Sequence, residues 1–141
     1  MIEAALLCLA LNVYHEARGE PIEGQKAVAQ VTMNRAEYDK KNICPVVFQP
    51  YQFEWANPIT TAKSTAARSN AANRLMPNLD SREWQTAKWI ASRAISGKMT
   101  DIVGDADHFL NPKTVKRMPR FAREYDKVAV IGKHAFYRSG N

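Results

Sequence analysis

The sequence predicts a mainly α-helical fold of the α+β class, with a small β-hairpin near the C-terminus. Three segments carry this prediction: an apolar run at residues 2–14, an amphipathic segment with end signals at residues 80–97, and an alternating stretch at residues 128–138. With 141 residues, 45% of them hydrophobic, the chain has the size and apolar content of one domain. We therefore expect a single domain spanning residues 1–141.

The first helix is predicted from residues 2–14, which hold almost no polar side chains. Steps of three and four residues from Leu9 lead along one helix face to Glu16, at the end of a largely apolar stripe. Partial burial and the negative end of the helix dipole both raise the pKa of such a carboxyl. Glu16 is therefore a candidate general acid. The alternative is a surface charge paired with Arg18 or Arg35.

A second helix is predicted at residues 24–38, after the chain-reversing Gly19 and Pro21. It should pack against the first helix through apolar residues at mostly helical spacing. Pro45 and a second proline five residues later interrupt regular structure. Residues 56–79 are small and polar, which predicts a loop with room for one short helix.

A third helix begins after Asp80, the predicted N-cap, with Glu83 completing a capping box and Gly97 ending the helix. Its core face is predicted to carry Trp84, Ala87, Ala91 and Ala94. The final alternating stretch turns at Gly132 and Lys133, as expected of a hairpin with a two-residue loop.

The net charge of +6 and the sequence pI of about 9.5 favour a polyanionic partner, whether nucleic acid, an anionic membrane or the acidic bacterial envelope. Charge alone does not choose among these partners. Basic residues become frequent late in the chain, where a solvated helix face is the simplest interpretation. They are Lys113, Lys116, Arg117, Arg120 and Arg123.

Cys8 and Cys44 can form a bridge in principle, but small buried thiols are more common in a protein made in a reducing cytosol, and we expect both to be free. The apolar start lacks the basic residues of a signal peptide and carries Glu3. Its roughly 13 residues are also fewer than the about 20 needed to cross a bilayer. We expect no export signal and no stable membrane insertion.

Four blocks in order resemble one known family. They are NVYHEARGEPIEGQKAVAQVTMNR at residues 12–35, QPYQFEW at 49–55, DADHFLNP at 105–112 and IGKHAFYR at 131–138. Together they resemble the SleB-like cell-wall hydrolases, the family of spore-cortex-lytic enzymes and related phage lysins. The resemblance implies a lysozyme-like, lytic-transglycosylase-like domain acting on the glycan strands of peptidoglycan. The family's catalytic acid, the first glutamate of EARGE, falls on Glu16.

The resemblance also implies how such a protein is used. We expect an isolated catalytic domain without a separate wall-binding module, acting as a monomer. A phage lysin fits best: it would be made in the host cytoplasm without an export signal and reach the wall after the membrane is permeabilised. Its positive charge would help it engage an anionic wall.

Glycan cleavage requires a proton donor and, usually, a second carboxylate near the developing positive charge. Glu20, Glu23, Asp105 and Asp107 are candidates that the sequence leaves unplaced. The resemblance implies that none is needed. In lytic transglycosylases the muramoyl 6-hydroxyl attacks its own anomeric carbon and forms a 1,6-anhydro end, so Glu16 can act first as acid and then as base. A hydrolytic muramidase with a second carboxylate is the alternative.

Further side chains are candidates for binding the glycan. Exposed aromatic rings stack on sugars, whereas buried ones are core, and polar groups beside them supply hydrogen bonds. The candidates are Glu20, Gln52, Phe53, Trp55, His108, Asn111 and Tyr137. Glu54 departs from the FSW-type triplet frequent in the family, and Leu110 stands where relatives often have an aromatic residue.

Two other function classes are weaker. His15, His108 and His134 could bind zinc with Glu16 as base, as in a cell-wall amidase or peptidase, but HEARG has Gly19 where a zinc-binding HExxH helix has its second histidine. We therefore expect no metal and no cofactor. The hypothesis that the protein binds nucleic acid rests on its pI alone, because the sequence has no recognisable binding motif. We therefore expect no nucleic-acid partner.

Overall fold

The computed structural model describes residues 2–140, in which helices surround the first helix and a three-stranded antiparallel sheet lies near the C-terminus. The helices are α1 (Ala4–Ala17), α2 (Ile22–Arg35), α3 (Ile43–Val47), α4 (Asn57–Thr60), α5 (Thr65–Leu75), α6 (Arg82–Ile95) and α7 (Phe121–Glu124), with 3-10 turns at Lys40–Asn42 and Glu54–Ala56. The strands are β1 (His108–Leu110), β2 (Asp126–Ile131) and β3 (His134–Arg138). The mainly α fold with a small β element is as predicted.

Helix α1 is the centre of the core, because α2, α3 and α6 all pack against it. Leu9 and Val13 of α1, Val28 of α2 and Ile90 of α6 are completely buried. A helix that is covered on several sides exposes few positions to water, so most of its side chains must be apolar. This explains the apolar run from which the helix was predicted. The predicted first and second helices are confirmed.

Helix α6 confirms the predicted core face, since Trp84, Ala87, Ala91 and Ala94 are all buried. Gly97 adopts φ +73° just beyond the helix, as a terminating glycine does. The predicted N-cap at Asp80 is wrong by one residue. Ser81 is the cap, because its Oγ accepts a hydrogen bond from the Trp84 N–H at 3.2 Å, while Asp80 belongs to the preceding turn.

The segment predicted as a loop with room for one short helix, residues 56–79, is instead largely helical. It contains α4 and the 11-residue α5, whose first turn is capped by the Ser64 Oγ accepting from the Ala67 N–H at 3.0 Å. Only Ala71 of α5 is buried. The helix therefore lies on the surface and depends on its cap and on alanine's helix propensity, so its sequence shows no apolar periodicity.

The two cysteines are not free, which corrects the prediction. Cys8 of α1 and Cys44 of α3 form a disulfide, with their Cα atoms 5.3 Å apart and a sequence separation of 36 positions. Packing of α3 against α1 places the two side chains face to face. The bridge thus links the central helix α1 to the short helix α3, which follows α2 and a 3-10 turn in sequence.

The predicted hairpin is confirmed as β2 and β3, joined at Gly132 and Lys133, with Gly132 at φ +59°. The strand order is β1-β3-β2, so the largely buried β3 is central and β2 forms an exposed edge. Against the sheet lies a second small core. It consists of Leu110, Ala135 and Tyr137 with Val115, Phe121, Ala122 and Tyr125.

The late basic residues are exposed, as predicted, but they do not form one helix face. Only the single turn α7 is helical there, and Lys113, Lys116 and Arg117 lie in irregular chain before it. Pro112 and Pro119 account for the break, because proline disrupts a continuous helix. Within residues 2–140, no helix combines the length and the apolar character needed to cross a membrane.

Candidate functional site

A cleft of about 520 Å³ opens where the end of α1 meets the loop before the Glu54–Ala56 turn and the sheet. Its volume lies in the range typical of ligand sites, about 300–1,000 Å³. We call it the Glu16 cleft. It is lined by the charged Glu16, Arg35 and Glu54, the polar Gln52, His108, Asn111, Thr114 and His134, and the aromatic or apolar Tyr51, Phe53, Phe109, Leu110, Val115, Pro119 and Phe121.

Glu16 is the penultimate residue of α1 and its side chain is partly buried in the cleft. Burial, and then the negative charge of Glu54, raise the pKa of Glu16 from 4.5 to about 7. The direction is the one expected from its place at the end of an apolar stripe. A carboxyl with this pKa can both give and take a proton near neutral pH.

The two arginines considered as partners of Glu16 are engaged elsewhere. The Arg18 guanidinium lies over the Tyr14 ring, 4.7 Å from its centroid. Arg35 donates a hydrogen bond to Gln52 Oε1, and its guanidinium lies 5.5 Å from the centroid of Phe53. The structure therefore gives no support to a simple surface ion pair.

Glu54 is the second carboxylate of the cleft, and sequence reasoning did not select it. It is exposed and begins the short 3-10 turn that follows Phe53. Its charge acts on Glu16 strongly enough to raise the pKa of that group. The sequence did hold one indication of Glu54, because it replaces the middle residue of the FSW-type triplet. This replacement places a carboxylate directly after the aromatic cleft residue Phe53.

The four carboxylates that were considered for this position lie outside the cleft lining. Glu20 accepts a hydrogen bond from the Lys133 N–H at 2.8 Å, and the exposed Glu23 pairs with Lys26 at 3.6 Å. Asp105 pairs with Arg138 at 3.5 Å, and Asp107 bonds to His108 Nδ1 at 3.0 Å and to Ser139. These four groups have structural partners instead.

Asn12, one turn before Glu16, anchors a buried hydrogen-bond chain behind the cleft. Asn12 Nδ2 donates to Thr32 Oγ1 at 3.0 Å, and the Trp55 Nε1–H donates to Asn12 Oδ1 at 2.9 Å. The Trp55 ring stacks on His15, with centroids 4.4 Å apart. Trp55 therefore packs against the end of α1 and is not among the residues that line the cleft.

Glu20 lies beside a cleft residue, His134, without lining the cleft itself. Besides its bond to the Lys133 N–H, its Oε1 lies 3.6 Å from His134 Nδ1. His134 lines the cleft, and burial lowers its pKa although the charge of Glu20 opposes this. Glu20 thus joins the chain just after α1 to the hairpin turn that carries His134.

Of the other predicted glycan-binding residues, Gln52, Phe53, His108 and Asn111 line the cleft. Tyr137 does not line the cleft, because it is only 2% exposed and packs in the second core. Its ring centroid lies 5.5 Å from that of Phe121. Tyr51 was not selected from the sequence, yet it is 75% exposed on the cleft edge and adopts φ +63°, which is uncommon for a residue with a side chain.

The zinc arrangement would require the three histidines to converge beside Glu16. His108 and His134 line the cleft, but His15 Nε2 donates to the Leu75 carbonyl at 2.8 Å behind it. In the part of the chain that the structure describes, residues 2–140, no group of three or more His, Cys, Asp or Glu side chains is placed to hold a metal ion.

Comparison with known proteins identifies the family. The model of the family described as Cell Wall Hydrolase matches residues 19–137. Spore cortex-lytic enzymes from Bacillus subtilis and Bacillus cereus are each 32% identical to the chain over 130 residues, 91% of its length. The match covers 35% and 42% of those two proteins, so the chain spans well under half of each.

Two solved structures agree over almost the whole chain. The catalytic domain of the germination-specific lytic transglycosylase SleB from Bacillus anthracis superposes with a TM-score of 0.68 at 29% identity, covering 98% of this chain and 97% of that one. The catalytic domain of the Bacillus cereus SleB protein gives a TM-score of 0.65 at 31% identity, covering 98% and 93%. The chain therefore belongs to the Cell Wall Hydrolase family.

Proposed function

We propose that this chain is a peptidoglycan-degrading glycosidase that cleaves the β-1,4 bond between MurNAc and GlcNAc, acting as a lytic transglycosylase with Glu16 as its acid and base. The observation that carries the proposal is a partly buried Glu16 of pKa about 7 in an aromatic-lined cleft. Family membership and the similarity to a lytic transglycosylase domain support it. Glu16 precedes the matched residues 19–137, so its role rests on the cleft geometry.

In the first step, protonated Glu16 gives its proton to the glycosidic oxygen as the bond to the muramoyl anomeric carbon breaks. Positive charge then develops on the sugar, and the carboxylates of Glu16 and Glu54 in the same cleft stabilise it. In the second step, the 6-hydroxyl of the same MurNAc attacks that carbon, and Glu16 accepts the hydroxyl proton. Glu16 ends protonated, and no water is consumed.

Hydrolytic cleavage is the second candidate, and the presence of Glu54 in the cleft favours it. A second carboxylate can activate water or stabilise the charged sugar, as in muramidases. Mass spectrometry of digested peptidoglycan in water enriched in heavy oxygen distinguishes the two. Unlabelled 1,6-anhydromuramic ends support the transglycosylase, labelled reducing ends support the muramidase, and intact glycan with cut peptide stems contradicts both.

Replacing Glu54 with glutamine is expected to move the alkaline limb of the pH-rate profile to lower pH. Activity requires protonated Glu16, so it falls as pH rises through about 7. Removing the Glu54 charge lowers the pKa of Glu16, but burial is the larger cause, so the pKa should stay between 4.5 and 7. The measurement is initial rate against pH for parent and variant.

The matched control for this experiment is Glu23→Gln, which removes the same charge from an exposed position outside the cleft. Its pH-rate profile should coincide with that of the parent. A Glu54→Gln profile that also coincides with the parent would show that Glu54 does not act on the ionising group.

We further propose that the chain works as a monomeric catalytic domain on glycan strands, reaching the wall as a phage lysin does, after the inner membrane is permeabilised. Its net charge of +6 supports engagement of an anionic wall. Expression in a bacterial cytoplasm with and without a hole-forming protein tests the route. Lysis only when both are present supports the proposal, and lysis by the chain alone contradicts it.

A further inference from the structure

One short segment carries most of the protein's net charge. Residues 112–125, the cationic segment, contain five cations and one carboxylate, Glu124, so they contribute +4 of the net +6. All five cations are exposed: Lys113, Lys116, Arg117, Arg120 and Arg123. Charge concentrated in a tenth of the chain indicates a local partner rather than general solubility.

The cationic segment forms one wall of the Glu16 cleft. Thr114, Val115, Pro119 and Phe121 line the cleft, and the cations alternate with them along the chain. Phe121 packs against His108, 4.8 Å between ring centroids, and so fixes the segment to the sheet. The apolar residues therefore hold the wall in place while the charged ends remain in solvent at its rim.

Among residues 2–140, most of these charges have no ion-pair partner. Arg120 pairs with Glu124 at 3.0 Å, but no ion pair within 4.0 Å joins Lys113, Lys116 or Arg117 to any other residue in the 2–140 range. Like charges within a few residues of one another in sequence repel, and an anionic ligand would relieve the repulsion. Exposed cations without ion-pair partners therefore lie beside a cleft of about 520 Å³.

We propose that the cationic segment binds the carboxylates of the peptide stems of peptidoglycan. This inference rests on the proposed glycosidase function. In a strand lying along the cleft, the stem leaves each MurNAc through its lactyl group and projects away from the glycan, toward the rim. The stems are acidic peptides, so their carboxylates meet Lys113, Lys116 and Arg117 without any group having to be buried.

The test compares two substrates: intact peptidoglycan freed of phosphate-containing polymers, and glycan strands from which an amidase has removed the stems. The variant is Lys113→Gln/Lys116→Gln/Arg117→Gln. Its kcat/KM on intact peptidoglycan should fall about five- to tenfold, the size expected of three exposed ion pairs, and the loss should shrink as salt is added. On stem-free strands, kcat/KM should match that of the parent.

The matched control is Lys63→Gln/Arg82→Gln/Lys98→Gln, which removes the same charge from exposed positions outside the cleft lining. It should match the parent on both substrates. An equal loss in control and variant, or an equal loss on both substrates, overturns stem recognition. A loss that occurs only when phosphate-containing polymers are left on the wall assigns the segment to those polymers and also overturns it. A parent that cleaves neither substrate overturns the glycosidase function itself.

Discussion

Glu16→Gln is expected to lower the rate of peptidoglycan cleavage by about 10²–10⁴-fold near neutral pH, the usual contribution of a positioned general acid or base. Glutamine keeps the shape of the side chain but can neither give nor accept the proton that the proposed reaction moves. The measurement is release of soluble muropeptides from purified sacculi. A Glu16→Gln protein that clears sacculi as fast as the parent would contradict the mechanism.

The loss of cleavage activity in Glu16→Gln must be distinguished from misfolding of the variant, and the pKa of Glu16 makes this possible. Folding raises that pKa from 4.5 to about 7. The free energy of unfolding of the parent therefore falls as pH rises across this interval, and it stays lower at higher pH. Glutamine does not ionise, so above pH 7 the variant should have at least the unfolding free energy of the parent. Glu23→Gln, on the exposed side of α2, should leave activity unchanged and lower the free energy of unfolding by at most about 1 kcal/mol.

Removing the Cys8–Cys44 bridge is expected to lower the free energy of unfolding by about 3–4 kcal/mol, as the chain-entropy relation gives for a cross-link spanning 36 residues. The bridge restricts the unfolded chain between α1 and α3, so its loss favours unfolding. Urea unfolding of the parent with and without reductant, beside a Cys8→Ala/Cys44→Ala variant, measures the effect.

The comparison has an internal control, because reductant should leave the unfolding curve of the cysteine-free variant unchanged. Cleavage at low temperature should survive in all four samples, since the bridge lies outside the cleft lining. Unfolding of the parent at the same urea concentration with and without reductant would contradict a stabilising disulfide.

The sequence predicted the parts of the fold that follow from apolar periodicity and turn chemistry. Helix α1 and the core face of α6 each bury a continuous stripe, and the hairpin needs Gly132 at a left-handed φ. It also placed Glu16 at the end of the apolar stripe of α1. These features are local, so a single stretch of sequence contains the information that specifies them.

The features that were missed depend on contacts between distant segments or on weak local preferences. Helix α5 buries only Ala71 and so has no apolar face to detect. The Cys8–Cys44 bridge requires knowing that α3 packs on α1. Glu54 is 38 residues from Glu16 in sequence, and only the folded loop brings its charge to bear on that carboxyl.

The hydrogen bond between Glu20 and the Lys133 N–H joins two segments that each carry a residue of the Glu16 cleft. It ties the chain leaving α1 to the hairpin turn across 113 positions of sequence, and a methyl group on Gly132 would lie 2.5 Å from Glu20 Oε1. The end of α1, which carries Glu16, and the hairpin, which carries His134, are thereby held together by a largely buried carboxylate and a residue without a side chain. A side chain at position 132 would disrupt this contact, so the spacing between the cleft residues Glu16 and His134 depends on a glycine that lies outside the cleft lining.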